Sequence, residues 1–175
     1  MNRIKDIPPE KMTAEQNKVF EQLAAGRGRI LTPYKIWIHS PVVASGMEHI
    51  GTHLNKKGTL SPQEVEIGIL VIAGHWHADY VQQAHIRIGR EVGLPEDVIQ
   101  AIVAGKDPKI ADAHQRAVYA FSAALAASRK PTDAEFAEYE KALGRDGIAE
   151  VIVLLGYYTS VALGMKFHDV PVVPA

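Results

Sequence analysis

The sequence contains no cysteine in its 175 residues. This absence excludes disulfide bonds, thiolate metal ligands and every reaction in which a thiol of this chain attacks or is oxidised. An excess of one charge is also lacking, since 19 Lys and Arg residues are balanced by 20 Asp and Glu residues. The resulting net charge of -1 provides no field that would attract a nucleic acid or an anionic membrane. We expect neither as a partner.

Long apolar runs are absent too. The longest, 151–165, contains Gly156 and Tyr157 and falls short of the ~20 residues that a transmembrane helix needs. The stretch from Met1 to Pro9 lacks the apolar core of a signal peptide. With 47% hydrophobic and 22% charged residues, the composition is that of a globular domain. We therefore predict a cytoplasmic protein with a single domain over 1–175, in which 1–12 form an extended N-terminal segment.

Helix start signals recur along the chain. Thr13, Ser61 and Thr132 are each followed three residues later by Gln or Glu, the capping-box pattern of a helix N-terminus. Apolar residues then recur with helical periodicity, and no alternation of period two persists. The predicted fold class is all-α. The predicted helices cover 13–25, 41–54, 61–74, 77–92, 96–104, 111–127, 133–143 and 147–165.

Two of these helices, 61–74 and 147–165, are apolar on most sides. A helix of that kind belongs in a core, and the first of the two is predicted to be the central one. The remaining helices are amphipathic, and in so small a chain they offer too little apolar surface to cover both. A core shared between subunits would cover them better, so we expect a homo-oligomer.

The segment 64–94 holds the residues that are best suited to chemistry. Glu66 is an ionisable residue in an otherwise apolar helix, and His85 lies on the following helix with Tyr80 near it. If the two helices form an antiparallel pair joined near Gly74, Glu66 and His85 lie at similar heights and can meet. A carboxylate that orients an imidazole, with a phenol nearby, is a usable proton-transfer set. The alternative is structural: Glu66 faces solvent or caps a helix, and His85 is a hydrogen-bonded core residue.

Histidine is frequent, at eight residues, which raises the question of a metal. His75 and His77 with His85, or His49 with His53, would be the imidazole ligands. Neither set has a carboxylate at a recognisable metalloenzyme spacing, and the HExxH pattern is absent. We expect no metal and no cofactor. Trp37 and His39, just before the helix at 41–54, either line a substrate pocket or belong to a hydrophobic staple at the start of that helix.

Taken together, several segments resemble the carboxymuconolactone decarboxylase family, which includes the alkylhydroperoxidase D (AhpD-like) proteins. The shared pattern is a Glu in a hydrophobic helix, an aromatic-rich turn, then Tyr and His on a helix that ends in Gly-Leu. A His-Ser-Pro helix start precedes it and a Gly-Tyr-Tyr-Thr helix follows it. The matching residues are Glu66, Tyr80, His85, Val92-Gly93-Leu94, His39-Ser40-Pro41 and the segment 153–162.

The resemblance implies an AhpD-like helical bundle that assembles as a homotrimer or homohexamer, with sites near subunit contacts. The peroxidase branch of the family carries a Cys-x-x-Cys pair just before the histidine. The corresponding positions here are Ala78 and Val81, so thiol-dependent peroxide reduction is excluded.

The decarboxylase branch does not need cysteine. By resemblance, His85 would be the proton donor or shuttle, Glu66 its orienting partner and Tyr80 a hydrogen-bond donor to a lactone or enolate oxygen. His77 and Gln82 would lie at the rim of the site. The nearby cations Arg87 and Arg90 lie off the His85 face. The function expected is that of a lyase acting on a small lactone or unsaturated carboxylic acid in aromatic compound catabolism. The alternative is a protein of the same family that binds a small aromatic acid without turning it over.

Overall fold

The computed structural model describes residues 2–27 and 30–172, and every regular element within those ranges is helical. The all-α class is therefore confirmed. A short 3-10 turn at Pro9–Lys11 interrupts the N-terminal segment that was predicted to be extended. The helices are α1 (Ala14–Arg27), α2 (Thr32–Trp37), α3 (Pro41–Lys56), α4 (Pro62–His75), α5 (Asp79–Glu91), α6 (Glu96–Val103), α7 (Ala113–Ala126) and α8 (Asp133–Phe167).

Helix α4 is the centre of the bundle, as predicted. It contacts α5, α6, α7 and α8, and every residue from Glu64 to Leu70 is buried. Its start is fixed by the capping box: the Glu64 N–H donates to the Ser61 hydroxyl, and the Ser61 N–H donates to the Glu64 carboxylate at 2.7 Å. An apolar surface on all sides of this helix is stable only because neighbours cover all of them.

A tight reversal after α4 brings α5 back alongside it. The His77 N–H donates to the Gly74 carbonyl and the Ala78 N–H donates to the Ala73 carbonyl, which is the Schellman pattern of a helix C-terminus. His77 takes the left-handed conformation that this pattern requires, with φ of 47°. Helix α5 therefore begins at Asp79 and not at 77 as predicted, because a left-handed residue cannot continue a helix.

Helix α8 is two helical segments joined at Gly144, whose φ of 64° and ψ of 174° lie outside helical values. The sequence predicted this division at 143–147. The second segment is a core helix that packs on α4 and α7, with Val151 and Val161 buried. Helix α8 as a whole, Asp133–Phe167, is long and apolar enough to cross a membrane by length and composition only, and the core helix of a soluble protein passes the same test. Ile152 and Leu163 remain 49% and 46% exposed, so the predicted burial on most sides does not hold within one chain.

Helix α2 was not predicted. It has six residues, too few for a periodic pattern, and it begins at Thr32-Pro33. Its function in the fold is to bury Tyr34 and Trp37 in the core. The N-terminal segment packs beside it through an ion pair between Lys35 and Asp6, and contacts the end of α8 where the Arg3 N–H donates to the His168 carbonyl.

Candidate functional site

Glu66 on α4 and His85 on α5 meet in the structure. The carboxylate Oε2 lies 2.7 Å from the imidazole Nδ1. Only 5% of the Glu66 side chain and 13% of the His85 side chain are exposed. The predicted antiparallel pairing of the two helices through the turn after Gly74 is what brings these residues together. Glu66 does not face solvent, so the structural alternative in which its carboxylate is exposed to water is wrong.

The contact determines which imidazole nitrogen is available for chemistry. A carboxylate is an acceptor, so Nδ1 carries the hydrogen and donates it to Glu66. The other nitrogen, Nε2, then has a free lone pair and is the atom that can take up or return a proton. The Tyr158 ring of α8 packs edge-on against the imidazole, with ring centroids 5.0 Å apart and planes at 88°. The carboxylate and this ring together fix the orientation of His85.

A series of edge-on aromatic contacts continues from Tyr158 into the core. Tyr158 contacts Tyr157 at a centroid distance of 5.2 Å, and Tyr157 contacts Trp37 at 5.7 Å. The Tyr157 hydroxyl lies 3.1 Å from that of Tyr34. Trp37 is 8% exposed and packs in this aromatic cluster, and its role in binding a substrate stays a prediction. Its connection to His85 is through packing.

Tyr80 is directed away from the Glu66–His85 pair. Its hydroxyl donates to the Thr32 hydroxyl at 2.9 Å, in a separate recess beside α2. The reason is the spacing along α5: five residues at 3.6 per turn place Tyr80 about 140° around the helix from His85. The expectation that the Tyr80 phenol lies near the imidazole, as part of one proton-transfer set, is therefore corrected. Any direct role of Tyr80 in catalysis remains a prediction.

The two positions that would carry sulfur in the peroxidase pattern are packing residues here. Ala78 and Val81 are each 2% exposed. Val81 precedes His85 by four residues on α5, so it lies on the same side of the helix as the imidazole. The site is thus an acid–imidazole pair beside an apolar surface, with no thiol.

His77 and Gln82, the two residues predicted at the rim, do share a recess. It has a volume of about 520 Å³ and is also lined by His75, Asp79 and Tyr119. Burial raises the pKa of Tyr119, and the negative charge of Asp107 raises it further. Gln82 comes one turn before His85 on α5, which makes this the nearest of the described recesses along that helix. Glu66 and His85 are not among the residues that line it.

The remaining predicted residues are remote from the pair or engaged elsewhere. Arg87 binds Glu91 at 2.6 Å and Arg90 binds Glu96 at 2.7 Å, all on the exposed face of α5 and the start of α6. The hydrogen bond from Arg90 lowers the pKa of Glu96 to about 2. His39 is exposed, and its backbone N–H donates to Ile36. Both arginines lie off the His85 face, as the sequence indicated.

Among residues 2–27 and 30–172, no cluster of three or more His, Asp or Glu side chains is arranged to hold a metal ion. His53 binds Glu150 at 3.0 Å, and His75 packs against Trp76. His49 lines a different recess, on α3. Neither of the two histidine sets that the sequence offered belongs, in the described part of the chain, to a group of three such side chains.

Besides the Glu66–His85 and His53–Glu150 contacts, the described residues include a third acid–imidazole contact, which was not anticipated. Glu64, whose carboxylate caps α4, also accepts a hydrogen bond from Nδ1 of His114 at the start of α7. Fifty residues separate the two, so no sequence spacing signals the pair. Because 43% of the His114 side chain is exposed, this contact ties two helix starts together at the surface. It is less shielded from water than the Glu66–His85 pair.

No protein-family model and no curated protein matches the sequence. Solved structures do match. An uncharacterized peroxidase-related protein from Silicibacter sp. TM1040 is 18% identical with a TM-score of 0.74, over 98% of this chain and 90% of the other. Two structures of the debrominase Bmp8 also match, each 10% identical over 97% of this chain and 91% of Bmp8. The TM-score is 0.74 for Bmp8 without ligand and 0.73 for a cysteine-to-alanine variant in complex with 2,3,4-tribromopyrrole.

The chain has the AhpD-like helical fold. This confirms, at the level of the fold, the resemblance carried by Glu66, Tyr80 and His85. The fold is common to proteins whose names indicate different reactions, so function has to be argued from the site.

Proposed function

We propose that this protein is a cytoplasmic, thiol-free and cofactor-free lyase of the carboxymuconolactone decarboxylase-like family. It transfers a proton to or from a small lactone or unsaturated carboxylic acid in aromatic compound catabolism. The observation that carries the proposal is the 2.7 Å contact between Glu66 Oε2 and His85 Nδ1 in a setting almost closed to water. A buried carboxylate on Nδ1 stabilises the imidazolium and leaves Nε2 as the working atom.

For a decarboxylation, the chemistry balances as follows. The bond between the substrate carbon and its carboxylate breaks, carbon dioxide leaves, and the electron pair moves into the conjugated carbonyl as an enolate. The protonated imidazole then gives its Nε2 hydrogen to carbon, and the electron pair returns to form the new C–H bond. The net change is the replacement of a carboxylate by a hydrogen taken up from water. Glu66 keeps its hydrogen bond to Nδ1 throughout, so His85 does not rotate between the two protonation states.

The proposal includes a homo-oligomer, a trimer or a hexamer. Ile152 and Leu163 are 49% and 46% exposed on the second segment of α8, whose other side supplies core residues, and Phe167 is 75% exposed at its end. Exposed apolar side chains along one helix are typical of a surface that another subunit covers. A second subunit against α8 would also shield the Tyr158 side of the pair from water.

A second candidate function is the binding of a small aromatic molecule without turnover. The observation in its favour is that Arg87 and Arg90 are held by Glu91 and Glu96, so neither cation faces His85 to receive a substrate carboxylate. A fold of the same kind holds the small aromatic ring of 2,3,4-tribromopyrrole in the Bmp8 variant. An uncharged aromatic ligand would need no cation beside the pair.

The test is carbon dioxide release from a panel of small lactone acids and unsaturated acids. His85→Ala should lower the rate by about 10²-fold or more, because a positioned general acid typically contributes that much. His49→Ala, an exposed histidine on another surface, is the matched control and should keep the wild-type rate. Aromatic acids or pyrroles that raise the melting temperature without any product would favour the binding function. Equal turnover in His85→Ala and the wild type would exclude the proposed mechanism.

A further inference from the structure

Two recesses meet beneath the N-terminal segment, away from the Glu66–His85 pair. The larger has a volume of about 380 Å³ and is apolar, with Ile7, Met12, Phe20 and Leu23 among its walls. That volume lies within the range of small-ligand sites in proteins. Neither Glu66 nor His85 lines it.

The smaller recess, of about 180 Å³, has several polar side chains in its lining. It is lined by Thr32 and Tyr80, with Asn2 on the N-terminal segment. The Tyr80 hydroxyl donates to that of Thr32 at 2.9 Å, which leaves the Thr32 hydroxyl its own hydrogen to donate. The residue that the sequence suggested for the pair is therefore part of this second region.

The two recesses share a wall formed by Asp6 and Lys35. The Lys35 ammonium donates to the Asp6 carboxylate at 3.0 Å, and among the described residues that line either recess it is the one cation. The Asp6 side chain is 69% exposed and lies in the stretch 2–8, which precedes the 3-10 turn and forms no helix. An exposed ion pair of this kind contributes little, so another carboxylate can replace Asp6 at small cost.

We propose that this cleft is a ligand site for a small amphipathic monocarboxylic acid. The apolar body occupies the 380 Å³ recess between the N-terminal segment and α1. The carboxylate binds Lys35 in place of Asp6, and the Thr32 hydroxyl donates a second hydrogen bond to it. An apolar chamber with the Lys35 ammonium in its wall selects an acid over a neutral or basic molecule of the same shape. The site does not depend on the proposed function of the Glu66–His85 pair.

The experiment is calorimetric titration of the whole protein with decanoate and, separately, with decanol. Lys35→Met should weaken decanoate binding about tenfold, because it removes a charge-assisted hydrogen bond but keeps the aliphatic stem. Asp6→Asn should strengthen decanoate binding several-fold, because it removes the competing carboxylate. Lys18→Met, an exposed lysine on α1 that lines neither recess, is the matched control and should bind as the wild type does. Decanol binding should respond to none of these changes.

The direction of the Asp6→Asn effect separates this proposal from non-specific binding of a fatty acid. Equal decanoate affinity in Lys35→Met and Lys18→Met, or no gain in Asp6→Asn, would overturn it. Loss of decanoate binding in His85→Ala would also overturn it, since the acid would then be bound at the pair. If decanoate binds although the protein shows no lyase activity, the proposed ligand site is supported. Only the proposed function of the Glu66–His85 pair then fails.

Discussion

The carboxylate of Glu66 lies 2.7 Å from Nδ1 of His85, across the interface between the central helix and the helix that follows it. The two side chains are nineteen residues apart in sequence and nearly closed to solvent. A carboxylate in such a position specifies the imidazole tautomer. It therefore fixes which nitrogen can exchange a proton with a bound molecule.

Replacement of Glu66 by Leu should remove the constraint that keeps the His85 hydrogen on Nδ1. In ¹⁵N NMR spectra the wild-type His85 should show its hydrogen on Nδ1, and Glu66→Leu should lose that preference. The variant should also lose about 1–3 kcal/mol of stability, because a buried N–H is left without an acceptor. Glu91→Gln, an exposed carboxylate on α5, is the control that should leave the His85 spectrum unchanged. An unchanged tautomer in Glu66→Leu would mean that another group orients the ring.

Gly51 on α3 faces the hydroxyl of Tyr157. A Cβ at this position would lie 2.6 Å from Tyr157 Oη, well inside contact distance. Tyr157 has little room to move, because it packs on Trp37 and its hydroxyl lies against that of Tyr34. Gly51→Ala should therefore cost about 1–3 kcal/mol of unfolding free energy.

The matched control for that substitution is on the same helix. Gly46 has no atom within 4 Å of an added Cβ, so Gly46→Ala should be neutral or stabilising by about 0.5–1 kcal/mol from helix propensity. Urea titration of both variants measures the difference. Equal stability of Gly51→Ala and Gly46→Ala would show that the aromatic cluster can move to accommodate an added methyl group.

Glu150 on α8 holds the loop between α3 and α4. Its Oε2 accepts hydrogen bonds from the backbone N–H and the hydroxyl of Thr59, at 2.7 and 2.8 Å, and Oε1 lies 3.0 Å from Nε2 of His53. Burial raises the pKa of this carboxyl, but the hydrogen bonds from Thr59 and His53 outweigh it and bring the pKa below its usual 4.5. A depressed pKa in the folded state means that the contribution to stability is complete above pH 4.5.

The contribution should therefore disappear as the pH falls from 4.5 through the lower pKa of the folded state. Glu150→Gln should cost about 1–3 kcal/mol at pH 7, because one acceptor oxygen is lost, and the gap from the wild type should shrink below pH 4.5. Denaturant titrations at a series of pH values measure it. Glu138→Gln, an exposed carboxylate on the same helix, should produce a much smaller gap at every pH. A gap for Glu150→Gln that does not vary with pH would contradict the assignment.

The sequence predicted the features that depend on local interactions and missed those that depend on contacts between residues far apart in the chain. Periodicity and capping boxes are local, so they predicted the long helices and, with the reversal after Gly74, the meeting of Glu66 and His85. Helix α2 was not predicted, because six residues are too few to show helical periodicity. His77 was placed on α5 because its left-handed conformation depends on the Schellman contacts and not on its residue type.

The site was less predictable than the fold. Tyr80 and His85 are five residues apart, a spacing that turns them to different sides of a helix and sends the phenol to Thr32. The partner ring on the imidazole, Tyr158, comes from a helix far along the chain, and no spacing signals it. Contacts between distant helices depend on packing of the whole bundle, which the residues of one helix do not encode.

The exposed apolar side of α8 gives the last prediction. Leu163 is 46% exposed and Phe167 is 75% exposed at the end of that helix, and we expect a second subunit to cover both. Leu163→Glu should therefore shift the protein from an oligomer toward monomers in light scattering coupled to size-exclusion chromatography, because burying an unpaired carboxylate in the interface is costly. Phe136→Glu replaces another exposed apolar residue, 54% exposed near the start of α8, and should leave the oligomer intact. If both variants keep the wild-type mass, this side of α8 is not the contact; if the wild type itself is a monomer, the shared core is absent.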